Sequence, residues 1–393
     1  MPKPLYLAMA TLPCLSSNAA LESAKRGWLP WSGSLRPSAA TLLKQLDGVN
    51  GNALHSALAQ AGAERIAALA EGIDRFERQE YTRKASRANV LWQEGSSQLL
   101  DYGVAASGAR HPLTILFVPS LINRAYIFDL APDKSMIRFL KQQGFRCLLM
   151  DWGDPGEKEQ RFGMADYTTR LECALESIPG KVMLAGYCMG GMMALAASLR
   201  KPAKVTGLAL IGTPWDFHSP DAAQMPGAEI FAGAFEEFLS TNPVVPGALV
   251  YHLLYLANPW PVHEKYIRFA TMEAGSEEYR AFMEREHWLR DGVALTAQCA
   301  RTAFIDWAAR NTPARLEWKV GGEIVSPAQV SVPTFIVLGQ RDCIVPPLCG
   351  GALSKAIPNA VTIHPPAGHV GMVVGRQAKD HLWLPLAKWL RGL

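Results

Sequence analysis

The stretch Lys181–Ala196, KVMLAGYCMGGMMALA, constrains the fold of this chain more than any other. A strand candidate, KVMLA, runs straight into Gly186-Tyr187-Cys188-Met189-Gly190-Gly191, and a helix candidate follows at once. No residues are left over for a loop. A strand that turns this sharply into a helix holds its central residue in a strained turn, lifted clear of the strand, with the helix N-terminus behind it. That is the geometry of a nucleophile elbow. Strand and helix approach closely there, so small residues must flank the turn. Gly186 and Gly190 stand two before and two after Cys188, and Gly191 adds room. The helix N-terminus would favour an anion at the thiol. The competing reading is a buried structural cysteine in a glycine-rich turn.

The surrounding pattern supports a strand–helix alternation. Thr114–Pro119, Arg146–Asp151, Lys181–Ala185, Lys204–Ile211, Thr334–Gly339 and Val361–His364 read as short apolar strands. Lys134–Gln143, Met164–Ile178, Gly191–Leu199 and Gln377–Leu393 read as helices. Hydrophobic strands alternating with helices predict a mostly parallel sheet covered on both faces. The alternation stops between Ile211 and Pro333, where aromatics, prolines and helical stretches such as Glu229–Ser240 and Ala294–Ala309 take over. An insertion of that size between two strands reads as a cap over the carboxyl edge of the sheet. Before the sheet, residues 53–81 place apolar side chains at helical spacing. The expected divisions are a mostly helical region at 1–90, core at 91–214, cap at 215–332 and core again at 333–393.

Composition narrows the class further. With 49% hydrophobic residues the chain can bury a sizeable core, and its net charge of +4 lacks the clustered basic character of a nucleic-acid binder. Seven cysteines at irregular spacing include no C-x-x-C pair, so zinc and thioredoxin-like readings have no support and no metal site is expected. Apolar neighbours fit reduced thiols in a cytoplasmic protein. Lys3, the apolar Leu5–Leu15 and Asn18-Ala19-Ala20 faintly resemble a secretory signal, but Pro4 and Pro13 interrupt the run, and the start of a helical region is the preferred reading. No run approaches the ~20 apolar residues of a membrane span.

A nucleophile needs a base, and in folds with an elbow the acid and base follow at the ends of later strands. TFIVLG leads into Gln340-Arg341-Asp342-Cys343, and VTIH leads through Pro365-Pro366-Ala367-Gly368 to His369. Cys188, Asp342 and His369 therefore have the right order and the right placement. Asp342 as a turn former and His369 as a solvated loop residue are the bland alternatives; His364, Asp306 and Asp216 are the rivals, none with the same relation to two strand ends. The oxyanion hole should use the backbone N–H of Met189 and one from the loop Pro119–Asn123, with Ile122 first and Leu121 next. A cysteine paired with histidine attacks a thioester readily and keeps the acyl group as a thioester, which points to acyl transfer; cysteine hydrolases leave hydrolysis open.

Together these residues resemble the polyhydroxyalkanoate synthases. The likeness is carried by FVPSLINRAYIFDL (117–130), LLMDWGDP (148–155), GYCMGG (186–191), LALIGTPWDF (208–217), GQRDCIVP (339–346) and AGHVG (367–371), with HWLRDG (287–292) and FIDWAARN (304–311) in the insertion. It covers residues 112–375 and is weak before residue 90. Cys343 stands where the family often has histidine. The resemblance implies an α/β-hydrolase core, a cap and a Cys-His-Asp constellation. Family members take (R)-3-hydroxyacyl-CoA, load the acyl group on cysteine, release coenzyme A and extend a polyester. Carried over, Cys188 is the nucleophile and His369 its base; Asp342 orients His369 or assists the incoming hydroxyl. Coenzyme A enters as part of the substrate, with no resident cofactor. Short family members typically work with a second, helical subunit, so the resemblance implies such a partner or a homodimer, unless residues 1–90 replace it, and a place at the polymer granule surface. Two other readings are a cysteine-dependent hydrolase of polyester or acyl-CoA, and a silent granule-associated protein. Trp215, Phe217 and Trp288 are candidates for the acyl pocket or for the cap core. Val244–Pro261 is either a dimer face or a cover for the site.

Overall fold

The computed structural model describes residues 3–29, 31, 35–104, 113–220, 228–257 and 260–393. Eight strands form one sheet: β1 (Asn89–Glu94), β2 (Ser97–Asp101), β3 (Thr114–Val118), β4 (Arg146–Asp151), β5 (Val182–Tyr187), β6 (Val205–Ile211), β7 (Thr334–Val337) and β8 (Val361–Ile363). Their spatial order is β1-β2-β4-β3-β5-β6-β7-β8. β2 pairs antiparallel with both neighbours, and every pair from β4 to β8 is parallel. The expected mostly parallel sheet with helices on both faces is borne out.

Two hydrophobic cores explain why the strands read as unbroken apolar runs. Every residue of β3 and β5 is buried. Successive side chains point to opposite faces, so Leu116, Val118, Leu148, Met150, Leu184 and Leu208 join one core. Ile115, Phe117, Cys147, Leu149, Met183 and Ala209 join the other. The helices Met164–Glu176 and Met189–Arg200 cover the first face, and Met136–Gln142 and Leu384–Leu390 the second. A strand covered on both sides has no polar face to alternate with.

The hairpin β1–β2 was not legible as strands. NVLWQE lacks period-two alternation, and five of its six residues are exposed at the sheet edge. Its turn is held by tertiary contacts: Glu159 accepts from the Ser96 amide at 3.1 Å and pairs with buried Arg170 at 2.8 Å. The helix expected from Lys134 begins instead at Met136, because Ser135 Oγ accepts from the Arg138 amide at 3.0 Å and caps it. Lys134 sits in a two-residue ladder, buried against Glu284.

β6 and β7 are neighbours, so residues 212–333 leave the sheet and return to the adjacent strand. The expected helices are present as Ala228–Thr241 and, after the ladder residues Leu295–Thr296, as Ala297–Ala300 running into a π-helical turn, Arg301–Ala309. Of Val244–Pro261, residues 258–259 lie outside the described residues; Val244–Val245 pairs with Leu295–Thr296, and Gly247–Ala257 is a helix.

The chain divides into two compact units: Met1–Tyr81 with Asn258–Met283, and Thr82–Ala257 with Glu284–Leu393. The first is helical. The helix Gly51–Glu77, capped by Asn50, crosses Trp260–Ala270 so tightly that a Cβ at Gly72 would stand 2.0 Å from the Tyr266 carbonyl oxygen. Phe76, Tyr266, Phe269 and Phe282 form its aromatic centre. The apolar stretch at the N-terminus is part of one helix, Lys3–Lys25, and Pro4 lies in its first turn, where no intrahelical N–H is required. Among the described residues no helix is long and apolar enough to cross a membrane.

Candidate active site

The strand order reverses direction at β3, with β4 on one side and β5 on the other. In open parallel sheets the crevice at the carboxyl ends of such a pair is where ligands bind. β5 ends there in Tyr187, and the next residue is Cys188.

Cys188 has φ 54° and ψ −127°, a left-handed conformation unusual for a residue with a side chain. Such strain costs about 1–3 kcal/mol and persists only where the surroundings over-determine it. Here the Cys188 amide donates to the Ile211 carbonyl at 2.9 Å, and the Gly191 amide donates back to the Cys188 carbonyl at 2.9 Å. The flanking glycines are forced by contact. A Cβ on Gly186 would lie 2.4 Å from Gly191 Cα, and one on Gly190 would lie 2.2 Å from the Val118 carbonyl oxygen. The helix Met189–Arg200 starts directly behind the thiol. Cys188 is partly exposed.

Asp342 lies in the turn after β7, and His369 opens the helix His369–Val374 after β8, with Gly368 as its N-cap. The two meet at 2.7 Å between His369 Nδ1 and Asp342 Oδ2, and both are buried. The other carboxylate oxygen accepts from the Ile344 and Val345 amides at 2.9 and 2.8 Å, which fixes the plane of the carboxylate. With Nδ1 committed to Asp342, Nε2 is the ring nitrogen left for Cys188, whose side chain is close enough to act on the imidazole charge. Burial disfavours the charged ring, but the Asp342 carboxylate, and after it Cys188, outweigh burial and push the His369 pKa up to about 10. The structure thus brings together the sequence-predicted residues 342 and 369 as a hydrogen-bonded pair, with Cys188 beside the imidazole.

Sequence reasoning missed Tyr187. Its ring stacks on the His369 imidazole at 4.9 Å between centroids, and its hydroxyl donates to the His369 carbonyl at 3.3 Å. Burial holds its phenol pKa well above the ordinary value. Its place inside the elbow motif was the available signal.

Met189 is the first residue of the elbow helix, where an amide has no intrahelical acceptor. On the facing loop, the Ile122 amide donates to Ser120 Oγ at 3.2 Å, so it is already engaged in this structure. That leaves Leu121, the next choice in the same loop, as the alternative second donor. The rivals for the acid–base roles lie elsewhere. His364 is exposed. Asp216 accepts from Asn311 Nδ2 at 2.8 Å and ties the exit of β6 to the insertion. Asp306, its pKa raised by burial, pairs with Arg310. Trp215 packs on Trp318 and lines a cavity of about 330 Å³ whose wall does not include Cys188. Phe217 stacks on Trp307, and Trp288 is buried with its indole N–H on the Arg124 carbonyl. Among the described residues no group of three or more His, Cys, Asp or Glu is placed to hold a metal ion.

A family model described as the alpha/beta hydrolase fold matches residues 114–375, more than half of the chain. The chain belongs to the alpha/beta hydrolase fold family. A second model, the N-terminus of poly-beta-hydroxybutyrate polymerase (PhaC), matches residues 74–140. Among curated proteins, the poly(3-hydroxyalkanoate) polymerase subunit PhaC of Haloferax mediterranei is 27% identical over 76% of this chain and 63% of its own length. The subunit of the same name from Haloarcula marismortui is 27% identical over 77% of this chain and 67% of its own. That from Allochromatium vinosum is 27% identical over 71% of this chain and 81% of its own. The resemblance to the polyhydroxyalkanoate synthase branch of this hydrolase family is therefore borne out, with this chain spanning under two-thirds of the Haloferax protein.

Proposed function

We propose that the chain is an acyltransferase that polymerises (R)-3-hydroxyacyl-CoA into polyester through a thioester on Cys188. The observation that carries the proposal is the hydrogen-bonded pair Asp342–His369 beside Cys188 at a strained elbow, in a protein whose curated relatives are named as polymerases. His369, held in its charged form, already carries the proton drawn from the thiol, and the Cys188 sulfur attacks the thioester carbonyl. The oxyanion faces the Met189 amide and, with the Ile122 amide engaged, that of Leu121. Collapse expels the coenzyme A thiolate, which leaves with the proton from His369. The hydroxyl of the next unit then attacks the acyl-cysteine, with His369 taking its proton, and the new ester forms as the Cys188 sulfur leaves. The carboxylate geometry, with both oxygens of Asp342 occupied, supports a role in orienting His369 rather than in meeting the hydroxyl. Coenzyme A serves as the carrier of the substrate, and no resident cofactor enters the scheme. The seven free cysteines support a reducing compartment such as the cytoplasm, with the granule surface as the place where polymer accumulates. A homodimer or a helical partner subunit completes the proposed setting.

The test supplies (R)-3-hydroxybutyryl-CoA and follows coenzyme A release together with product length. Release accompanied by polymer supports the transferase. Release of free acid with no polymer would replace it with the cysteine-hydrolase reading. Release by Cys188→Ala at the wild-type rate would remove both.

A further inference from the structure

Two motifs that contain none of Cys188, Asp342 and His369, SLINRAY (120–126) and HWLRDG (287–292), lock onto each other. The loop after β3 is gripped at successive residues. The Val293 amide donates to the Ile122 carbonyl at 2.9 Å, and Asn123 and Gly292 form an antiparallel bridge. The Trp288 indole donates to the Arg124 carbonyl at 2.8 Å. Arg124 Nε then reaches back to Asp291 Oδ1 at 3.2 Å, across 167 residues of sequence, and the Tyr126 hydroxyl donates to Asp291 Oδ2 at 2.8 Å. Arg124 also pairs with Asp154 at 2.7 Å.

The same loop is held from the opposite end by the elbow. The Pro119 carbonyl accepts from the Trp152 indole at 3.0 Å, and Gly190 packs against the Val118 and Pro119 carbonyls with no space for a Cβ. Between the two grips lie Ser120, Leu121 and Ile122, the stretch that holds Leu121, the second oxyanion donor of the proposed reaction.

We propose that Arg124 and Asp291 are positioning residues that set this loop through their mutual pairing, so that the insertion completes the oxyanion hole from outside the sheet. The proposal rests on the reading of Cys188 as an acyl-accepting nucleophile. Both side chains are partly exposed, at 29% and 44%. Exposed ion pairs contribute little to stability, so the pairing acts through geometry. A donor displaced by roughly 1 Å costs up to about a hundredfold in rate.

Two probes of the full-length chain separate this role from a structural one. With p-nitrophenyl acetate, the Cys188 sulfur bonds to the carbonyl carbon and the carbonyl electron pair moves to oxygen. Collapse re-forms the carbonyl and expels p-nitrophenolate, so the step needs the oxyanion hole. With iodoacetamide, sulfur displaces iodide directly and no oxyanion forms. Asp291→Ala should alkylate at the wild-type rate while its limiting acylation rate falls about 10–100-fold, with little change in half-saturation. Arg124→Lys should recover part of the loss that Arg124→Ala suffers. Trp288→Phe, which removes the indole N–H together with part of a buried ring, should show the same split more weakly. Acylation at the wild-type rate in Asp291→Ala, or acylation and alkylation falling together, overturns the proposal. Failure of the nucleophile reading looks different: Cys188→Ala would then be acylated as fast as wild type.

Discussion

At the scale of single residues, the site depends on opposing demands on His369. Its burial disfavours a charge, and Asp342 and Cys188 favour one strongly enough to hold its pKa near 10 instead of the ordinary 6.5. A histidine whose pKa is raised by folding stabilises the fold fully below its unfolded pKa, and that contribution is lost as pH rises through the folded value. The gap in thermal midpoint between wild type and His369→Gln should therefore be largest at about pH 6 and narrow toward about pH 10. A gap that widens over that range would mean the ring is neutral in the resting fold. Cys188→Ser should keep some acylation and lose most turnover, because the hydroxyl is a far weaker acid than the thiol; unchanged coenzyme A release would contradict it. Cys188, Asp342 and His369 were legible because each follows a strand end in the order an elbow fold uses. Tyr187 carried only its place inside the elbow motif as a signal, since its stacking on a residue 182 positions away leaves no local pattern.

At the scale of elements, the elbow shows contact overriding propensity. Gly190 lies in the first turn of a helix, where alanine would ordinarily gain about 1 kcal/mol. A Cβ there would stand 2.2 Å from the Val118 carbonyl oxygen and 2.4 Å from that of Pro119, both backbone atoms. Overpacking of this kind costs about 1–3 kcal/mol or more, so the net effect is destabilising. Gly190→Ala should lower the urea midpoint, and a raised midpoint would show that the loop after β3 yields easily. The hairpin β1–β2 is the opposite case. Its residues carry no strand signature, and its turn is fixed by Glu159 and Arg170 from elsewhere in the chain. The start of the helix at Met136 depended on a single hydroxyl, that of Ser135, which a hydrophobic pattern cannot register.

At the scale of the whole molecule, β3 and β5 are enclosed by cores on both faces, whereas the helix Lys3–Lys25 carries exposed Leu12 and Leu15. Amide hydrogen exchange should be slowest in Thr114–Val118 and Val182–Tyr187 and faster in Lys3–Lys25, because protection follows depth of burial. The reverse order would place the stable centre in the helical unit. The insertion also has two allegiances. Residues 258–283 belong to one compact unit with the N-terminal helices, and residues 284–293 turn to the loop after β3. Sequence spacing marked the insertion by the break in strand–helix alternation, but which unit each part joins is a matter of long-range packing.

The sequence by itself determined the parallel sheet, the elbow and the order of its three chemical groups. These follow from short-range rules: apolar runs where both faces are covered, glycines where backbones touch, and polar residues at strand ends. Tertiary structure alone decided that Asp342 meets His369 with both its oxygens occupied, that Tyr187 backs the imidazole, and that Asp291 reaches Arg124. Each of these is a contact between segments far apart in the chain, selected by how the packed elements fit and not by any local preference of the residues that make it.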